Sequence, residues 1–110
     1  MTDFKRPFEF NTAYNQGKVV AGFAHYPNGN KAIQLYALDH TPVMRLTVNP
    51  GIELKPDEVA IKNYSENEDA DSAAINAGLI QPFPRFHIES GMVKIPVYKL
   101  TPEALAMWKD

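Results

Sequence analysis

The sequence predicts a single α+β domain: an antiparallel sheet of five or six strands, with one helix packed on a face and a short C-terminal helix. Three observations predict it. Apolar runs over residues 18–26, 31–38 and 43–49 are separated by turns of a few residues, too short for the crossover that parallel strands need. Residues 66–77 carry alanines at helical spacing, the pattern of a helix with one close-packing face. The 110 residues, 45% hydrophobic and 22% charged, suit one globular domain that buries roughly two thirds of its unfolded surface.

Residues 1–17 form an aromatic arm ahead of a core over 18–110. Phe4, Phe8, Phe10 and Tyr14 stand among polar neighbours, and Pro7 breaks any helix. Aromatics are scarce in disordered tails, so the arm is expected to dock on the domain or on a second copy, partly as a strand through Phe8-Glu9-Phe10. The first core strand, Lys18 to Tyr26, leads through Pro27-Asn28-Gly29-Asn30, a hairpin signal. Lys31 to Leu38 alternates Ile33, Leu35 and Ala37 with Gln34, Tyr36 and Leu38, which gives one buried and one semi-apolar face. After Asp39-His40-Thr41-Pro42, the strand Val43 to Asn49 alternates Met44, Leu46 and Val48 with Arg45 and Thr47, and Pro50-Gly51 ends it.

A fourth strand spans Glu58 to Asn63, with Val59 and Ile61 on one side. Ser65-Glu66-Asn67-Glu68 has the spacing of a capping box, and Glu66, Glu68, Asp69 and Asp71 crowd the start of the helix, where carboxylates favour its dipole. Ala70, Ala73, Ala74 and Ala77 face the sheet, and Gly78 sits at the left-handed C-cap position. Residues 85–88 are extended, Ser90-Gly91 turns the chain, and Met92 to Leu100 is a strand whose Pro96 points to an edge position. Thr101 caps a last helix with Pro102 at its first position.

Composition excludes several function classes. The chain has no cysteine, so disulfides, thiolate metal sites and cysteine nucleophiles are ruled out. A net charge of -2 argues against the broad basic face that carries most nucleic-acid affinity. No run approaches the roughly 18 apolar residues of a membrane span, and the first residues lead into no apolar leader core, so a cytoplasmic protein without membrane contact is expected. His25, His40 and His87 lack the short spacing of metal motifs. Ser65, Ser72 and Ser90 sit in no nucleophile elbow, and phosphate-cradling glycine loops are absent. No enzyme chemistry, metal or cofactor is expected.

The blocks Leu46-Thr47-Val48-Asn49, Val59 to Glu68, Ala77-Gly78-Leu79-Ile80, Ser90-Gly91-Met92-Val93 and Pro96-Val97-Tyr98 resemble a family of short uncharacterised bacterial proteins of plasmids, conjugative elements and phages, domain-of-unknown-function family 4313. The resemblance covers residues 31–100. Where such proteins carry Thr-Gly-Arg after the helix, this chain has Pro82-Phe83-Pro84-Arg85, so only Arg85 is carried over. The resemblance implies a mobile-element setting and no activity.

Two functional expectations follow. The first is a non-enzymatic protein-binding module acting on a host or element protein, such as an inhibitor of a defence or regulatory protein. Its contacts are the acidic helix start, Glu66, Glu68 and Asp69, and the sheet face that Tyr36, Arg45 and Lys62 share with Tyr26. The alternative is a small-ligand or nucleotide-binding module that uses this open face, with His25 nearby, as a pocket beneath the aromatic arm. Aromatic and apolar side chains at both chain ends, Phe4, Phe8 and Phe10 with Leu105, Met107 and Trp108, further predict a homodimer through the arm and the last helix; the competing expectation is that both ends fold back onto their own sheet and complete a monomeric core.

Overall fold

The computed structural model describes residues 3–13, 16–64 and 67–108. Ser65 and Glu66 lie outside the described residues. In chain order the elements are β1 (Phe8–Glu9), β2 (Lys18–His25), β3 (Lys31–Tyr36), β4 (Pro42–Arg45), β5 (Glu58–Ala60), α1 (Ala70–Ala77), β6 (Phe86–Ser90), β7 (Val93–Lys99) and α2 (Pro102–Leu105), followed by a 3-10 turn, Ala106–Trp108. The α+β class and the antiparallel pairing agree with the sequence reading, but the single sheet does not. The strands form a four-stranded sheet in the order β1-β2-β3-β4 and a three-stranded sheet in the order β5-β7-β6.

The physical cause of the division is Thr47. Its hydroxyl accepts the Ile33 N–H at 3.0 Å, in place of a β4 backbone carbonyl, and this ends the ladder at Arg45. Beyond it the chain makes one isolated bridge, Thr47 to Ile61. Val48 N–H donates to the Ala60 carbonyl at 3.0 Å and Lys62 N–H to the Leu46 carbonyl at 2.9 Å. These contacts stitch the two sheets side by side.

One face of the joined sheets carries the core. Ile33, Leu35, Leu46, Val59 and Ile61 are fully buried, and Ala70, Ala73 and Ala74 of α1 and Ala104 of α2 cover them. The short alanine side chains let α1 lie close, as its spacing predicts. Its C-terminus also follows the prediction: Gly78, at φ +85°, lets its own and the Leu79 N–H return to the Ile75 and Ala74 carbonyls. The start of α1 differs. It begins at Ala70 rather than residue 66, behind Asp69 in a left-handed conformation with no side-chain cap. Asn67, buried, donates its side-chain amide to the Arg45 carbonyl at 2.8 Å. That tie holds Asn67 in the turn ahead of the helix, and Glu68 and Asp69 precede α1 instead of filling its first turn; the capping-box serine, Ser65, lies outside the described residues.

Two further expectations are corrected. Pro96 lies on β7, the central strand of its sheet. Its carbonyl accepts the Ile61 N–H at 3.0 Å, so its donor-less nitrogen turns to the same side, one residue past the end of β5, and no β6–β7 bond requires it. The arm is not an exposed patch either. Phe4, Phe8 and Phe10 are buried in this chain's own core with Ile33 and Leu35, and Phe4 meets Phe8 edge-on at 5.1 Å. Leu105, Met107 and Trp108 pack on the same core. The Trp108 indole N–H donates to the Ala24 carbonyl at 2.8 Å, covering β2 beyond the two-residue β1. The observation that pointed to dimerisation at these residues is therefore absent.

Two polar clusters fix the three-stranded sheet. Arg85 donates to buried Glu58 at 3.0 Å and to Asp57 at 3.4 Å, which anchors the Pro82–Arg85 segment, and the Glu58 hydrogen bond raises the guanidinium pKa above its ordinary value. Tyr98 donates to Asp71 at 3.0 Å. Burial, and then the Asp71 carboxylate, push the phenol up to about 12. A folded-state pKa above the unfolded value of about 10 means a contribution that is complete below pH 10 and lost as pH rises through 12. One tyrosine of the five is thus expected to ionise late in a spectrophotometric titration, and Tyr98→Phe to abolish that late step. Normal ionisation of all five in the folded wild type would contradict the Tyr98–Asp71 bond.

Candidate functional site

Strand alternation sends Ile33 and Leu35 to the core and Gln34 and Tyr36 to the other face. Register places Gly22 opposite Gln34 and Arg45 opposite Gln34 on its other side. Both helices and the arm lie on the core face. The pocket expected beneath the arm is therefore not formed, because the aromatic arm is on the wrong side of the sheet.

On the uncovered face, two adjoining hollows of about 310 Å³ each share Tyr26 and Arg45. The first runs between Tyr36 and Tyr26 over Gly22, Ala32 and Gln34. The second continues to Thr47, Asn49, Lys62 and Tyr64. The face drawn from the sequence thus does bring Tyr26, Tyr36, Arg45 and Lys62 together. Among the described residues, none that lines either hollow is acidic, although the chain as a whole is.

The arrangement is held by hydrogen bonds within the face. Gln34 donates to the Met44 carbonyl at 2.8 Å and accepts the Arg45 Nε–H at 2.8 Å. The first bond orients the amide so that its oxygen receives the guanidinium, whose terminal nitrogens have no protein partner among the described residues. Arg45 lies 5.9 Å from the Tyr26 ring centre and Lys62 5.7 Å from that of Tyr64, both within cation–π range. Tyr26 and Thr47 are linked through their hydroxyls at 3.1 Å. A Cβ at position 22 would stand 3.2 Å from the Tyr36 ring, so glycine there lets the ring lie across β2.

Sequence reasoning missed Gln34 as the holder of Arg45, and Tyr64, Thr47 and Gly22 as members of the face. The signals were the shared alternation of Gln34 with Tyr36 and an isolated glycine inside a strand, which marks close approach. Glu68 and Asp69 are exposed on the turn before α1 and line neither hollow. Glu66 is outside the described residues. Among those described, no three His, Asp or Glu side chains gather into a metal-binding group, and no helix is long and apolar enough to cross a membrane.

A third hollow, of about 320 Å³, lies beside Asn28, Asn30 and Glu53. Its central amide is already used: Asn30 donates to the Ile52 carbonyl at 2.7 Å and accepts the Leu54 N–H at 2.8 Å, which makes it a loop anchor. No family model, curated protein or solved structure matches the chain.

Proposed function

We propose that the protein is a non-enzymatic binding module whose open sheet face takes an acidic segment of a partner protein. The observation that carries this reading is the guanidinium of Arg45, fixed by Gln34 between tyrosine-lined hollows whose described lining residues include no carboxylate. Tyrosine and arginine are enriched at the centres of protein interfaces, and a cation held in place loses little entropy on binding. Under the resemblance drawn from the sequence, the partner belongs to the host defence or regulatory proteins that mobile elements encounter.

The test is capture from host lysate. Arg45→Glu with Lys62→Glu is expected to abolish capture of the partner that wild type retains, whereas Glu68→Lys with Asp69→Lys leaves it. Capture that survives the first pair and is lost with the second would move the site to the turn before α1. The size of the hollow between Tyr26 and Tyr36, about 310 Å³, favours one second reading, a nucleotide or other small anionic ligand. A nucleotide series in thermal shift separates the two, since a ligand at 100 times its Kd adds about 2.7 kcal/mol.

A further inference from the structure

We propose that β6 pairs, antiparallel, with β6 of a second copy of this chain. β6 is the outer strand of its sheet, beside β7 alone, and all its residues are exposed or half-exposed. In an antiparallel pair, the N–H and C=O of one residue point to the same side, and successive residues alternate. The Pro96 carbonyl turns to β5, where it accepts the Ile61 N–H, and the Val97 carbonyl turns to the β6 side, where it accepts the Arg85 N–H. The pair His87–Pro96, and with it Glu89–Lys94, is therefore not hydrogen-bonded across β6 and β7. The backbone groups of His87 and Glu89 point out of the open edge.

Those two residues are complementary to each other. With a two-fold axis at Ile88, His87 of one copy stands opposite Glu89 of the other, and the reverse, so all four outward-pointing residues pair at once. An imidazole N–H can donate to the facing carboxylate on one side of the new sheet, while Ile88 meets its own copy on the other. The same register brings Met92 level with Pro84 of the second copy, beside its Phe83. Met92 and Phe83 are the most exposed large apolar side chains among the described residues, at 101% and 80%.

Natural edges are blunted by proline, lysine, bulges or a cover. Residues 86–90 carry no proline, lysine or glycine, whereas the opposite edge has a two-residue β1 and Trp108. A five-residue pairing buries less than the usual interface of about 800 Å² per partner, so the dimer forms at high concentration. The contact is isologous and closes. It lies on the opposite outer strand from β1 and uses none of the residues proposed above to bind a partner.

Sedimentation equilibrium of the full chain, from micromolar to millimolar, is expected to show a monomer–dimer equilibrium. Glu89→Lys and His87→Glu are each expected to weaken it about tenfold, because the first removes both facing carboxylates and the second sets carboxylate against carboxylate in two cross-strand pairs. The reciprocal double variant, His87→Glu with Glu89→His, restores it. Amide exchange at His87 and Glu89 slows with concentration in wild type. A monomer at millimolar concentration overturns the proposal. So does a dimer that ignores both single variants and leaves those amides fast, which would put the interface elsewhere. Amides protected only by an added second protein would assign the edge to a different chain and equally overturn self-pairing.

Discussion

Leu46→Ala is expected to destabilise the protein by about 3 kcal/mol, within the range seen for buried leucines. Leu46 is fully buried against the core that α1 covers. Its backbone lies where the two sheets meet, its N–H on the Ile33 carbonyl and its own carbonyl receiving the Lys62 N–H. Truncation leaves a cavity at the seam, which the strands on either side cannot close without breaking these bonds. In a domain of this size the loss lowers Tm by roughly 12–15 °C. Exchange of the Val48 and Lys62 amides should rise along with global unfolding. A change under about 1 kcal/mol in chemical denaturation, below the range for a filled core, would show that the seam is loosely packed.

Asn30→Ala is expected to cost about 2–4 kcal/mol, because it strands several buried partners at once. The side chain accepts from Leu54 N–H and donates to the Ile52 carbonyl and to Asn49, and Asn30 is itself buried. Leu54 packs on the small apolar cluster of Ala60, Ile95 and Val97, so freeing the loop also uncovers that cluster. Asn49 lines the second hollow of the open face. The variant should therefore loosen the Lys62–Tyr64 end of the site and leave the Tyr36 end intact. Asn30→Asp separates the two parts of the cost: it keeps the acceptor for Leu54 and loses the donor for Ile52. Equal stability of wild type and Asn30→Ala in urea would contradict the anchoring role.

The strands and their faces were legible because alternation in a half-buried strand is a strong signal. Ile33 and Leu35 against Gln34 and Tyr36, and Met44 and Leu46 against Arg45, mark the open face in the sequence itself. The end of α1 was legible for a similar local reason, since Gly78 can take a conformation closed to most residues. What failed depended on side-chain hydrogen bonds between segments distant in sequence. Thr47 ends a ladder by serving Ile33, and Asn67 is tied ahead of a helix that starts only at Ala70 by reaching Arg45, 22 residues away. Neither leaves a mark in local spacing. Pro96 misled because a missing donor indicates an edge only when the partner ladder extends past it, and β5 stops one residue short. The aromatics of the arm showed that something must cover them, but not that the cover is this chain's own core.

The most direct test of the open face as the recognition surface is an NMR titration of the full chain with a poly-glutamate peptide at low salt. The predicted result is that the largest shift changes fall on Gly22, Tyr36, Arg45, Lys62 and the Gln34 side-chain amide, fade with added salt as screening shortens to about 8 Å at physiological ionic strength, and vanish in Arg45→Glu. Changes centred on Asn67, Glu68 and Asp69 or on α2, or no change at millimolar peptide, would contradict it.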